Sequence, residues 1–266
     1  MATVLGLQPR GFFVPYRHAG AATQSSYPAI EKLFAAHEAD FATILDRIDG
    51  FERELRAIPA DAPAPAPRWG QDWFPRLDAA AAYTIVRTRK PRLVVEVGSG
   101  HSTRFLLRAI EDGGLDTRIV AIDPSPRAPF ASARIEHVAS PLERADPTIF
   151  GRLGAGDILF IDSSHVLMPG TDVDILLNRV LPGLPSGVAV HVHDIFLPDP
   201  YPESWRWRGY NEQTALAAFI HGGGYVPLFS SRYIVTRMGA RLTSGATARL
   251  LLLDGAYEVS LWLEKR

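Results

Sequence analysis

Leu93, Val94, Val95 and Val97 form a short apolar run rich in β-branched residues, broken only by Glu96. Such a run predicts a strand covered on both faces, because nothing in it alternates between water and core. Gly98 and Gly100 follow at once, and they can take backbone angles denied to other residues and let a ligand approach the main chain. Phe105, Leu106, Ala109 and Ile110 then recur at helical spacing, so a helix capped by Ser102 or Thr103 and ended by Gly113-Gly114 is expected to lie on the sheet. Strand, glycine turn and helix in that order present free amides to a nucleotide-type cofactor.

Four more strands are expected downstream. Arg118 to Ile122 ends in Asp123, about 25 residues beyond the first glycine, where an acid can accept hydrogen bonds from ribose hydroxyls. Arg134 to Val138 leads to Ala139-Ser140-Pro141-Leu142, a turn that can border an adenine ring. Asp157 to Ile161 ends in Asp162-Ser163-Ser164-His165, and Val188 to Val192 ends in His193-Asp194. Polar residues therefore gather at the carboxyl ends of parallel strands, the ligand-binding edge of an open α/β sheet. Asp78 to Arg87 and Asn211 to Ile220 read as helices, and Tyr225 to Arg237 and Tyr257 to Leu263 as strands.

Ahead of this core, Ile30, Phe34, His37, Phe41, Ile44, Ile48, Phe51, Leu55 and Ile58 recur at alternating steps, a heptad seam of about four repeats. It predicts one long helix, which either packs on its own domain or pairs with its twin in a homo-oligomer; Gly50 and His37 weaken a strict coiled coil. Pro59 stops it, and the Pro/Ala stretch to Pro67 is a stiff linker. The expected division is thus a helical extension with linker over 1–68 and a cofactor-binding domain over 69–266. Trp73, in the WGQDWF segment before the core, is either a lid or packing.

Composition narrows the classes. The 266 residues are 47% hydrophobic, enough for a substantial core. A net charge of -1 gives no electrostatic reason to expect nucleic acid. With no cysteine, disulfides, thiolate metal sites and cysteine nucleophiles are excluded. The N-terminus has no basic region, Pro9 and Arg10 interrupt its short apolar start, and no run approaches the roughly 20 apolar residues of a membrane span, so a soluble cytoplasmic protein is expected.

Glu96-x-Gly98-x-Gly100, Asp123, the FIDSSH segment around Asp162 and the VHVHD segment ending at Asp194 resemble the class I S-adenosylmethionine-dependent methyltransferases, most closely their small-molecule O-methyltransferase branches. The resemblance runs from Phe74 to the C-terminus. It implies a Rossmann-like, seven-stranded, mostly parallel sheet with helices on both faces and an antiparallel C-terminal strand, beside the N-terminal helical extension. It further implies that Glu96, Gly98, Ser99, Gly100 and Ser102 lie against the methionine part of the cofactor, that Asp123 holds the ribose, and that Ser140 and Leu142 border the adenine, with Asp162 also at the cofactor. A nicotinamide dinucleotide is the rival, but its fingerprint wants a small residue where Thr103 stands, and Glu96 would repel a phosphate while it could accept a hydrogen bond from a methionine ammonium. A third reading is a non-catalytic oligomeric binding module on the same fold, against which the intact glycine loop counts.

Methyl transfer from a sulfonium is an in-line displacement, so the protein must mainly align the acceptor and exclude water. A base is needed where the acceptor proton is hard to lose, and His193 and His165 are the expected bases, with Asp162 and Asp194 beside them; His191 shares the face of His193 and reads as structural. Asp162 and Asp194 also fall where catechol-type members of the family carry two carboxylate ligands for magnesium, although Ile195 stands where those enzymes carry an Asn ligand. After the fifth strand, the loop 198–213 supplies Tyr201, Trp205, Trp207, Tyr210, Arg206 and Arg208, which suit either a wall over a flat, aromatic small-molecule acceptor or an interface. A hydroxyl oxygen is the expected methyl acceptor.

Overall fold

The computed structural model describes residues 3–8, 11–130 and 132–266, so the Pro9-Arg10 pair lies outside the described residues. Five parallel strands form as expected: β1 (Leu93–Val97), β2 (Arg118–Ile122), β3 (Ile135–Val138), β4 (Ile158–Ile161) and β5 (Ala189–Val192). With β6 (Tyr225–Ser230) and β7 (Leu261–Lys265) they make a seven-stranded sheet in the order β3-β2-β1-β4-β5-β7-β6, in which β7 runs antiparallel to both its neighbours. This is the Rossmann-like sheet expected, with its antiparallel closure. Every residue of β1, β4 and β5 is buried, as a strand covered on both faces requires.

The strand order reverses between β1 and β4, and the carboxyl ends of those two strands open a crevice there. Helix α4 (Arg76–Arg89) leads into β1, and α5 (His101–Asp112) follows the glycine turn. In α5 the apolar positions Phe105, Leu106, Ala109 and Ile110 are fully buried. Neither Ser102 nor Thr103 is its cap residue. Gly100 holds that position, and the Thr103 hydroxyl accepts the Gly100 N–H at 3.0 Å.

The N-terminal seam corrects a second expectation. One long helix is replaced by three, α1 (Pro28–Ala35), α2 (Glu38–Gly50) and α3 (Glu52–Arg56), with breaks at His37 and Phe51. Ile30, Phe34, Phe41, Ile44, Ile48, Leu55 and Ile58 are buried in the same core as the sheet, where the rings of Phe34 and Phe41 meet Tyr233 edge-on. That apolar face is used within the chain, where it packs on its own domain. A third correction lies at the C-terminal side: the run from Tyr225 is a strand only to Ser230, whose hydroxyl accepts the Tyr233 N–H and starts helix α8 (Ser231–Arg237). The last strand begins at Leu261, later than Tyr257. Helices α6 (Asp172–Ile175, continued by a π-helical turn over Leu176–Val180) and α7 (Glu212–His221) complete the elements that bear on the site. Among the described residues no helix is long and apolar enough to cross a membrane.

Candidate active site

Gly98 joins β1 to the loop because nothing larger fits. Its φ is +78°, and a Cβ there would stand 1.8 Å from the carbonyl oxygen of Asp162. The ends of β1 and β4 therefore touch through backbone alone, and the loop Gly98-Ser99-Gly100 is free to curve over the sheet edge. Asp123 fixes that loop: one carboxylate oxygen accepts from the Ser99 N–H at 2.7 Å and the Ser99 hydroxyl at 3.0 Å, and the other accepts from the Ser125 N–H at 2.7 Å.

Beside the loop lies a cleft of about 350 Å3, lined by Gly98, Ser99, Ile122, Asp123, Arg127, Leu142, Asp162 and Ser163 among others. Of the expected cofactor residues, Gly98, Ser99, Asp123, Leu142 and Asp162 meet in this lining. Ser140 is not among the residues that line it, and its hydroxyl donates to the Pro141 carbonyl. Gly100 and Ser102 are also set back from it.

Glu96 departs most from its expected role. It is fully buried, and its two oxygens accept from the Ser102 and Thr103 hydroxyls, each at 2.7 Å. Burial pushes its carboxyl up to about 8, against the pull of those two hydroxyls. The side chain braces the start of α5 from behind and does not face the cleft, so contact with a methionine ammonium is replaced by a structural task.

At the ends of β4 and β5, two imidazoles and four carboxylates converge. His165 Nε2 lies 3.3 Å from Asp162 and 3.5 Å from Asp194, while its Nδ1 lies 2.9 Å from Glu212 on α7. His193 Nδ1 lies 3.6 Å from Asp162 and 3.5 Å from Asp194, and its Nε2 lies 3.4 Å from Asp78 on α4. At that last distance the contact is an ion pair rather than a well-formed hydrogen bond, which leaves His193 Nε2 buried without a hydrogen-bond partner. Asp78 in turn accepts the Val259 and Ser260 N–H groups, each at 2.9 Å. His165 and Asp194 both have left-handed backbones, φ +59° and +55°, so the chain holds two non-glycine residues in an unfavourable region within one cluster.

Burial opposes charge on both imidazoles, yet the surrounding carboxylates outweigh it. Asp162 and Glu212 hold His165 well above the ordinary histidine value, and Asp194 and Asp162 do the same for His193. Burial would likewise raise Asp162, but the two imidazoles hold it well below the ordinary range. His191 takes the opposite course: buried and close to charged His193, it is held well below its usual value, stacked on Phe160 at 3.7 Å and bonded to the Ser260 hydroxyl. It is structural, as expected.

A smaller cavity, of about 160 Å3, opens over this cluster, and Asp162, His193, Asp194, Trp73, Trp205 and Arg208 are among its walls. Asp162 and Arg127 border both this cavity and the cofactor cleft. His165 is set behind it, with its ring 4.7 Å from Tyr210. Trp73 is half exposed and forms part of the wall, so it belongs to the site and not to the core. From the loop after β5, Trp205 and Arg208 reach the cavity, whereas Trp207 points to solvent. A larger groove of about 1040 Å3 lies on the other side of that loop, but its Asp199 is already paired with Arg232 and Arg237.

Magnesium does not fit the cluster. The oxygens of Asp162 and Asp194 are turned to the imidazole nitrogens of His165 and His193, and nitrogen is a poor ligand for so hard an ion. Among the described residues no group of three or more His, Cys, Asp or Glu is placed to hold a metal ion. Asp162 and Asp194, the residues expected to hold magnesium, are here the partners of the two histidines. The cofactor cleft passes the corresponding test, because the Ser163 hydroxyl on its wall is buried and has no partner in the protein.

Residues 95–195 match a family model described as "Methyltransferase domain". No curated protein matches the sequence. Among solved structures, the chain is similar to the Podospora anserina methyltransferase PaMTH1 bound to SAH, at 16% identity over 96% of this chain and 99% of that one, with a TM-score of 0.45. It is also similar to TomG of Streptomyces achromogenes, an O-methyltransferase involved in tomaymycin synthesis solved with SAM (18% identity, 84% and 89% covered, TM-score 0.42). A third is a Bacillus cereus O-methyltransferase in complex with SAH (14% identity, 84% and 91% covered, TM-score 0.39). At such identities and scores these likenesses carry no chemistry to this chain.

Proposed function

We propose that this chain, whose residues 95–195 match the methyltransferase-domain model, is a class I methyltransferase that uses S-adenosylmethionine and methylates a small molecule at a hydroxyl oxygen. One observation carries the reading: the cleft at the glycine loop and the cavity over the His193 cluster share Asp162 as a common wall. A donor in the first and an acceptor in the second would face each other across it.

When bound, S-adenosylmethionine supplies a methyl group on a positively charged sulfur. The protein's share is to hold and align. Asp123 keeps the Ser99 amide and hydroxyl in place, and its remaining lone pairs suit ribose hydroxyls. Leu142 supplies an apolar edge for a base, and the unpartnered Ser163 hydroxyl offers a polar contact. Trp73 and Trp205 flank the acceptor and exclude water.

His193 is the base in this reading. With its proton on Nε2, towards Asp78, the neutral ring presents the Nδ1 lone pair, beside Asp162 and Asp194, to the acceptor's proton as the oxygen attacks. A base made strong by Asp194 and Asp162 matches a phenol or alcohol better than an ordinary imidazole would. His165, behind the cavity, positions Asp162 and Asp194.

Calorimetric titration with S-adenosylhomocysteine, and separately with reduced nicotinamide cofactors, tests the donor. Micromolar binding of the first alone is expected. Binding of a nicotinamide instead, or of neither, refutes the reading.

A further inference from the structure

Two guanidinium groups in the acceptor cavity lack a counter-ion. Arg127 and Arg208 both line it, and neither comes within ion-pair distance of a carboxylate among the described residues. Of the acids that share the cavity, Asp162 and Asp194 face His165 and His193, and Asp72, exposed at the rim, makes no ion pair with either arginine.

Each guanidinium instead sits over an aromatic ring. The Arg127 carbon centre lies 4.3 Å from the centroid of Trp73, and that of Arg208 lies 3.9 Å from Trp205. A cation–π contact of this kind uses the face of the group and leaves its N–H donors open, and a guanidinium can grip a carboxylate with two parallel hydrogen bonds. Arg208 uses one donor on the Tyr210 hydroxyl at 3.3 Å, and its Nε is buried with no partner. A buried unpaired donor on a charged group is a costly feature for a protein to keep unless a ligand satisfies it.

We infer that the acceptor is a flat hydroxylated ring bearing a carboxylate, with the ring between Trp73 and Trp205, the hydroxyl at His193, and the carboxylate on Arg208 and Arg127. The inference rests on the methyl-transfer reading of the same cavity. It adds the acceptor's charge, which that reading leaves open.

The test uses the full chain and three positional pairs, 2-, 3- and 4-hydroxybenzoate, each against its uncharged amide, titrated with and without S-adenosylhomocysteine. At least one acid should bind more than about tenfold tighter than its amide, and Arg208→Gln should abolish that preference while S-adenosylhomocysteine affinity stays unchanged. Arg208→Lys, which keeps the charge but not the planar fork, should recover only part of it. Equal binding of acid and amide in all three pairs, absence of binding by any of them, or a preference that survives in both Arg208→Gln and Arg127→Gln overturns the inference. A carboxylate preference in a protein that ignores S-adenosylhomocysteine would keep the anion site and remove the methyl donor, so the two failures are distinct.

Discussion

His165 Nδ1 lies 2.9 Å from Glu212 Oε2, and both side chains are almost wholly buried. Removing one member of such a pair leaves the other charge without compensation in a medium that solvates it poorly. Glu212→Ala is therefore expected to lower stability by about 3 kcal/mol, with Glu212→Gln less harmful because its amide oxygen can still accept from the ring. Urea denaturation at neutral pH measures both; equal, negligible losses would show that the pair carries no weight.

Stability and activity should move in opposite directions on the alkaline side. His165 and His193 are raised above 6.5 in the fold, so their stabilising contribution is complete below that value and is lost as pH climbs through the folded values. Asp162, held below 3.8, contributes above that value and loses its contribution as pH falls. His193 as a base requires the neutral ring, so turnover should rise over the same alkaline range in which unfolding becomes easier. Asp194→Asn removes a charge that supports His193 and should shift the rising limb of the rate profile to lower pH. A limb that does not move would dismiss His193 as the titrating base.

Glu96 should behave as a neutral acid. With its folded value near 8 against 4.5 in the unfolded chain, it binds a proton on folding, and stability falls as pH rises between those values. Glu96→Gln keeps the partners Ser102 and Thr103 and removes this titration, so its advantage over wild type should be larger at pH 8 than at pH 5. Denaturation curves at the two values decide it.

Gly98→Ala should be far worse than Gly100→Ala. The first places a methyl 1.8 Å from the Asp162 carbonyl oxygen at a left-handed position, whereas the second meets nothing closer than 3.7 Å. A loss of more than about 3 kcal/mol is expected for Gly98→Ala. Comparable melting temperatures for the two variants would contradict the close approach of β1 and β4.

Asp123→Ala removes the group that fixes Ser99 and is proposed to hold ribose. S-adenosylhomocysteine affinity should fall by about 1 to 3 kcal/mol. Unchanged affinity in a folded variant would end that assignment.

What could be read from the sequence was local. Leu93 to Val97, the glycine pair and Asp123 stand within one strand-loop-strand unit, and the order of apolar runs fixed which strand ends carry polar residues. Glu212 and Asp78 could not be found this way, because they reach the histidines from helices remote in sequence. For Glu96, a carboxylate facing a ligand and one facing two hydroxyls look alike in sequence; only the packing of Ser102 and Thr103 decides. The seam from Ile30 to Ile58 had a true period but an ambiguous partner, and Phe229 and Tyr233, which meet it, lie at the far end of the chain. At Ser230 the β-branched run continued, and a single hydroxyl turned strand into helix.

Asp162 presents its carbonyl to Gly98, its carboxylate to two imidazoles, and a surface to each of the two cavities. A shared boundary of this kind makes the two occupants thermodynamic partners. Any shift of Asp162 that filling one cavity induces alters the free energy of filling the other, and by linkage each occupant changes its neighbour's affinity by the same factor.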